Sequence, residues 1–307
     1  MNMTPVKRLL LATDFSDWAR RAEDYACALA SSWRAALTVM TVLEFPPGMD
    51  PEYAVNKQYL TDRMSDASAR LAKFKHGAYV RGIAATTRIA TGMPSEQIMA
   101  AALAEETDLV IVGTRGKSGL AHVLLGSTAE RVIRMAPCPV LAVHTAIGES
   151  LTEKGICLDR ILVPTDFSEC SEEAVMFAAV AAAQAKASIE LLHVVEPGYY
   201  SIDFTIEHSD EREQKRQRSA DQLEALSEKL SKAGIAVNMN LRGGVPADMI
   251  LDVAKTTSSD LILMGTHGRR GLSHMWTGSV TEAVLRRGTI PVLAVRKPAF
   301  SGRLSGA

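Results

Sequence analysis

The chain has 307 residues, 47% of them apolar, enough for two ordinary domains with a core each. Lys plus Arg number 34 against 35 Asp plus Glu, a balance that argues against bulk nucleic-acid binding and a polybasic membrane face. The N-terminal apolar run in MNMTPVKRLLLATDF ends at a charge, and no run approaches the roughly 18 residues of a membrane span, so no signal segment or membrane insertion is expected.

The elements, taken along the chain, appear twice. Leu9–Ala12 is a short apolar run entering a Thr-Asp turn, as is Ile161–Pro164; such runs suit strands buried on both faces. Asp17–Ser32 and Glu169–Lys186 carry apolar residues at helical spacing, with Ser16 and Ser168 as N-cap candidates. Ala36–Leu43 and Ser188–Val195 read as second strands, followed by long polar helices near 56–75 and 207–233. Third strands lie in IAATTRIA and IAVNMNLR, and Pro94 and Pro246 open third helices. Leu109–Val112 and Leu261–Met264 are fourth strands. Helices from about Ser127 and Ser279 lead to closing strands in CPVLAV and IPVLAV. From Asp14 to Asp166, and from Gly113 to Gly265, the offset is the same 152 residues. The reading is a tandem duplication: a first domain over 1–146, a polar linker over 147–158, a second domain over 159–298 and a tail over 299–307. Each copy is an α/β domain, doubly wound, with a five-stranded parallel sheet and helices on both faces.

In such sheets ligands sit beyond the strand carboxyl ends at the switch point. Two features fall there. One is the Thr-Asp pair, Thr13-Asp14 and Thr165-Asp166. The other is a glycine loop after strand four, Gly113-x2-Gly116-x9-Gly126-Ser127 and Gly265-x2-Gly268-x9-Gly278-Ser279. Gly116-Lys117-Ser118 is not a Walker loop, because that template needs glycine where Ile111 stands. The glycines permit close backbone approach, and a following helix N-terminus suits phosphate. Ser-x-x-Glu at Ser127 and at Ser279 also fits a capping box, and the two readings are compatible.

The glycine spacing, the Thr-Asp after strand one and the terminal Pro-Val-Leu-Ala-Val strand together resemble the universal stress protein family, specifically its ATP-binding branch and its tandem members. The resemblance spans both halves. It implies a Rossmann-like, adenine nucleotide alpha hydrolase-like fold in a cytoplasmic stress-response protein that works by nucleotide-dependent regulation. It implies ATP or another adenine nucleotide with Mg²⁺. Asp14 and Asp166 lie near the nucleotide, and Val42 and Val194 near adenine. Ribose and phosphates fall to Gly113, Arg115, Gly116, Gly126, Ser127 and Thr128, and in the second half to Gly265, His267, Gly268, Gly278, Ser279, Val280 and Thr281. Pro164 precedes the second Thr-Asp where the first has Ala12, and Val280 and Thr281 replace Thr128 and Ala129, so the two sites differ. In the family the last strand mediates dimerisation. A tandem chain can pair its own copies as a pseudo-dimer, and two chains can associate further as a homodimer.

A carboxylate about 5 Å from a phosphate charge is repelled by roughly 3 kcal/mol at an effective dielectric near 20. Asp14 and Asp166 therefore point to the nucleoside, hold a bridging Mg²⁺, or simply cap a turn. Lys117, Arg269 and Arg270 are phosphate candidates or solvated loop residues. His122 and His274 read as packing, and His193 as a satisfied core histidine. His76, His144 and His208 have no metal spacing. Tyr199, Tyr200 and Phe204 either cover the nucleotide or pack between halves. Cys27, Cys138, Cys157 and Cys170 lack CxxC spacing and are expected reduced and buried, as in a cytosolic protein. No nucleophile–base pair is legible, which places a slow ATPase, a self-phosphorylating enzyme and a nucleotide-free scaffold as alternatives to regulated nucleotide binding.

Overall fold

The structure is a computed structural model that describes residues 4–44, 54–114, 125–144, 156–196, 209–268 and 278–296. The chain divides into two compact units, Val6–Cys157 and Leu158–Ala307. Among the described residues the first holds β1 (Arg8–Ala12), α1 (Arg20–Trp33), β2 (Ala36–Leu43), α2 (Ala54–Val80), β3 (Ala85–Thr91), α3 (Pro94–Ala104), β4 (Leu109–Gly113), α4 (Ser127–Met135) and β5 (Val140–Val143). The second repeats it with β6 (Arg160–Pro164), α5 (Glu169–Ala185), β7 (Ser188–Val195), α6 (Ser209–Lys232), β8 (Val237–Gly243), α7 (Pro246–Thr256), β9 (Leu261–Gly265), α8 (Ser279–Arg287) and β10 (Val292–Val295).

Within the first unit the strands run β3-β2-β1-β4-β5, and within the second β8-β7-β6-β9-β10, all neighbours parallel. The chain winds outward from β1 to β3, returns to β4 and winds the other way. That reversal puts the switch points between β1 and β4 and between β6 and β9. Right-handed crossovers then set α1 and α2 on one face and α3 and α4 on the other. The central strands are apolar throughout because both faces are covered: Leu9, Leu10, Leu11 and Ile161, Leu162, Val163 are buried. Strands β3 and β8, at the far end of each order, carry exposed polar residues instead.

The long helices are polar because each buries one narrow stripe. Ala67, Leu71 and Ala78 are buried on α2, and Ser219, Leu223 and Leu230 on α6, spaced by four and then seven residues in each helix. The duplication reaches the backbone. Phe15 and Phe167 (φ 55° and 60°), Arg34 and Lys186 (52° and 59°), and Glu106 and Ser258 (46° and 52°) all take left-handed conformations at paired positions. Another paired feature went unread in the sequence. One carboxylate oxygen of Asp108 accepts the amides of Lys7 and Arg8, and one of Asp260 accepts those of Asp159 and Arg160, all at 2.9 Å. Each aspartate thereby ties the start of a central strand to its neighbour.

Three expectations need correction. Ser16 does not cap a regular helix: α1 starts at Arg20, after a turn in which the Ser16 hydroxyl accepts the Ala19 amide at 3.3 Å. Ser168 is a true N-cap, accepting from the Ser171 amide. Cys27, Cys138 and Cys170 are buried, but Cys157 is exposed, since it stands in the irregular stretch before β6. The third concerns Ser127 and Ser279. Gly126 and Gly278 occupy the N-cap positions, so both serines sit inside the first helical turn and neither forms the capping box.

Candidate functional site

The Thr-Asp turn is built by its own side chains. In the first half the Thr13 hydroxyl accepts the Phe15 amide (3.0 Å) and Asp14 Oδ1 accepts the Ser16 amide (2.9 Å). Thr165 and Asp166 do the same for Phe167 and Ser168, both at 3.1 Å. These bonds hold the phenylalanine in its left-handed conformation, where a bulky residue is otherwise rare. The turn-capping reading of the aspartates therefore holds for one oxygen of each carboxylate.

The glycine loops close the same way twice. The Gly126 amide donates to the Thr114 carbonyl and the Gly278 amide to the Thr266 carbonyl, both at 2.7 Å. A Cβ on Gly126 would lie 3.3 Å from that carbonyl oxygen, and one on Gly278 3.2 Å. Close approach of backbone to backbone favours glycine there, since a Cβ would press the carbonyl back by a few tenths of an ångström. Because a glycine holds the N-cap, no side chain caps α4 or α8. Among the described residues no side chain takes up the first-turn amides, the setting in which helix N-termini bind anions.

In the first half these parts enclose a cavity of about 300 Å³. Thr13, Asp14, Val42, Gly113, Gly126, Ser127 and Thr128 all line it, so the structure brings together every described candidate of that half. The Ser127 and Thr128 hydroxyls make no hydrogen bond among the described residues. Arg115, Gly116, Lys117 and His122 lie outside the described residues. Unforeseen in the sequence, α2 contributes a wall with Arg63, Asp66 and Arg70, and α3 contributes Pro94 and Ile98.

In the second half Asp166, Gly265, Gly268, Gly278 and Thr281 converge. Asp166 Oδ1 accepts both the amide (3.1 Å) and the hydroxyl (2.6 Å) of Ser168. Its Oδ2 lies 2.6 Å from the position of a Cβ on Gly268. The Thr281 hydroxyl donates to the Gly265 carbonyl at 2.8 Å, which fastens α8 to the end of β9 and spends the hydroxyl on structure. His267 Nδ1 stands 3.0 Å from the Thr266 hydroxyl. Pro164 is buried at the end of β6 beside Leu192, and Val194 is half-buried near the end of β7. Ser279 and Val280 occupy the first turn of α8. Arg269, Arg270 and His274 lie outside the described residues, as do Tyr199, Tyr200, Phe204 and His208.

His193 is the core histidine expected: it is buried, its Nδ1 is 2.7 Å from the Thr165 carbonyl, and its ring packs on Phe167 with centroids 4.5 Å apart. The first half has Thr41 at that position. It has another device instead, also missed in the sequence: the Thr13 hydroxyl donates to Glu23 Oε1 at 2.6 Å. Burial pushes the Glu23 carboxyl above its usual range, partly opposed by that hydrogen bond.

Among the described residues no three His, Cys, Asp or Glu side chains gather around a common point. The oxygen donors near Asp14 (its carboxylate and the hydroxyls of Thr13, Ser127 and Thr128) suit a hard cation brought in by phosphates, not a resident metal. Nor is any helix among the described residues long and apolar enough to cross a membrane.

A duplicated, doubly wound α/β protein with a crevice at its switch point is the class these features define. The model of the universal stress protein family matches residues 5–144 and 158–296, and the chain belongs to that family, with two copies in tandem. A universal stress protein of Synechocystis is 28% identical over 312 aligned residues, covering 95% of this chain and 100% of its own. One from Methanocaldococcus jannaschii is 34% identical over 141 residues, 45% of this chain and 81% of its own. The crystal structure of a universal stress protein from Archaeoglobus fulgidus covers 94% of this chain and 96% of its own, with a TM-score of 0.69 at 23% identity, a likeness of fold.

Proposed function

We propose that the protein binds an adenine nucleotide, ATP with Mg²⁺ by preference, in the first-half crevice, and that nucleotide loading regulates its action in a cytoplasmic stress response. The observation that carries the reading is the cavity itself. Thr13, Asp14, Val42, Gly126 and Ser127, distant in sequence, line one space of about 300 Å³, at the lower end for small-molecule sites. An uncapped helix N-terminus lies at this cavity, beside Ser127 and Thr128 hydroxyls that have no partner among the described residues, and together they supply donors to an anion whose charge a cation shares with Asp14. In this reading Val42 meets the base, Ser127, Thr128 and the first-turn amides of α4 meet phosphate oxygens, and Asp14 shares a cation that arrives with them. Mg²⁺ when bound neutralises phosphate charge; the chain's part is to orient the nucleotide around it. The second-half group around Asp166, Gly268 and Gly278 is a second, different site. The domains are assigned to 1–146 and 159–298.

The test is to denature the gently purified full chain and identify released small molecules by mass spectrometry, with calorimetry on protein stripped of them. The reading expects an adenine nucleotide in the release or a saturable binding heat. Neither, at millimolar magnesium nucleotide, would overturn it.

A further inference from the structure

One wall of the first-half cavity belongs to a helix that neither the glycine loop nor the Thr-Asp turn explains. Helix α2 has 27 residues, about 40 Å of helix, beside a β3 strand of seven residues, about 23 Å long. Its end hands the chain to β3, so its earlier turns overhang the carboxyl edge of the sheet, where the cavity lies. Arg63, Asp66, Ala67 and Arg70 line the cavity together, spaced so that they share one helical face.

The charges on that face are arranged for an anion. Arg70 Nε lies 3.1 Å from Asp66 Oδ1 and 3.0 Å from Oδ2, which draws Nε to the carboxylate and leaves both Nη groups without a partner among the described residues. Arg63 makes no ion pair or hydrogen bond among the described residues, though Glu44 lines the same cavity. A solvated arginine needs no partner. Two guanidinium groups and the uncapped N-terminus of α4 line the same cavity, and both are donors that phosphate oxygens accept. The second half differs: Lys215, Arg218 and Gln222 stand at the paired positions on α6, so neither Asp66 nor Arg70 has a counterpart there.

We infer that Arg63 and Arg70 are phosphate-contacting, specificity-determining residues of the first-half crevice, giving it a preference for longer phosphate chains. This rests on nucleotide binding there. A ligand ending in a hydroxyl or one phosphate leaves the wall unused, and a di- or triphosphate engages it. Asp66 acts as a positioning residue through Arg70.

The experiment is calorimetry of adenosine, AMP and ATP, with magnesium, against the full chain, the Arg63→Gln/Arg70→Gln variant and the Arg63→Lys/Arg70→Lys variant. A charge-assisted contact is worth about tenfold or more in affinity. The glutamine variant is expected to lose at least about tenfold for ATP at one site while adenosine binding is unchanged. The lysine variant is expected to recover part of that loss, with a weaker bias between ATP and AMP than the parent. Equal ATP affinity in parent and glutamine variant overturns the inference and leaves nucleotide binding standing. Equal losses for adenosine and ATP also overturn it, because they mark a structural defect. A parent chain that binds none of the three overturns this inference and the underlying reading together. The side chains are exposed, so unchanged thermal unfolding is the control for folding.

Discussion

Replacing Gly268 by alanine asks whether the second-half site is held together by the contact between its aspartate and its glycine loop. An ideal Cβ at Gly268 lies 2.6 Å from Asp166 Oδ2 and 3.6 Å from its Cγ. Gly268 is not in the left-handed region, so the backbone itself raises no objection to alanine. The conflict is with the carboxylate, which must retreat by roughly half an ångström. Retreat strains the bonds from the Ser168 amide (3.1 Å) and hydroxyl (2.6 Å) that hold Oδ1. Overpacking of this kind costs about 1–3 kcal/mol, similar to the loss of one charged hydrogen bond. A double-mutant cycle isolates it. In urea unfolding, Gly268→Ala should cost about 1–3 kcal/mol with Asp166 present and near zero in the Asp166→Ala background. The reasoning fails if alanine costs the same in both backgrounds, or nothing in either.

Glu23 gives a pH prediction. Its carboxyl is pushed up by burial, so the folded chain holds that proton more tightly than the unfolded chain, and stability falls as pH rises through the raised value. Glu23→Gln keeps an acceptor for the Thr13 hydroxyl and removes the ionisation, so it should equal or exceed the parent in stability at pH 7 and lose any advantage below about pH 4; greater destabilisation at pH 7 than at pH 4 would contradict this. Ser168→Ala removes the cap on α5 and a bond to Asp166, and should cost roughly 1–2 kcal/mol in chemical unfolding. Ser127→Ala removes no cap, so its stability should stay within about 0.5 kcal/mol of the parent, while nucleotide affinity falls between about twofold and tenfold in calorimetry.

The fold was legible because buried parallel strands announce themselves as short apolar runs, and because each run occurs twice at one offset. Strand bounds at Ala36–Leu43 and Ser188–Val195 agree with the expected ones to the residue. That the Thr-Asp turn and the late glycines would line one crevice was legible because both follow strands that the expected strand order makes neighbours. Three things were not. Ser-x-x-Glu resembles a cap, but the N-cap falls one position earlier, on the glycine packed against the Thr114 carbonyl, and that puts the serine inside the helix. Arg63 and Arg70 sit on an exposed polar helix, where no periodicity separates a face that lines the crevice from one turned to water. Nothing in the sequence singles out Glu23, since the Thr13 hydroxyl that meets it comes from another element.

The most direct measurement is a calorimetric titration of magnesium ATP into the full chain freed of bound small molecules. Saturable binding at or below about 1 mM, competed by adenosine and weakened by Ser127→Ala, is the predicted result. A flat titration from a folded chain would contradict the claim that these crevice walls form a nucleotide site.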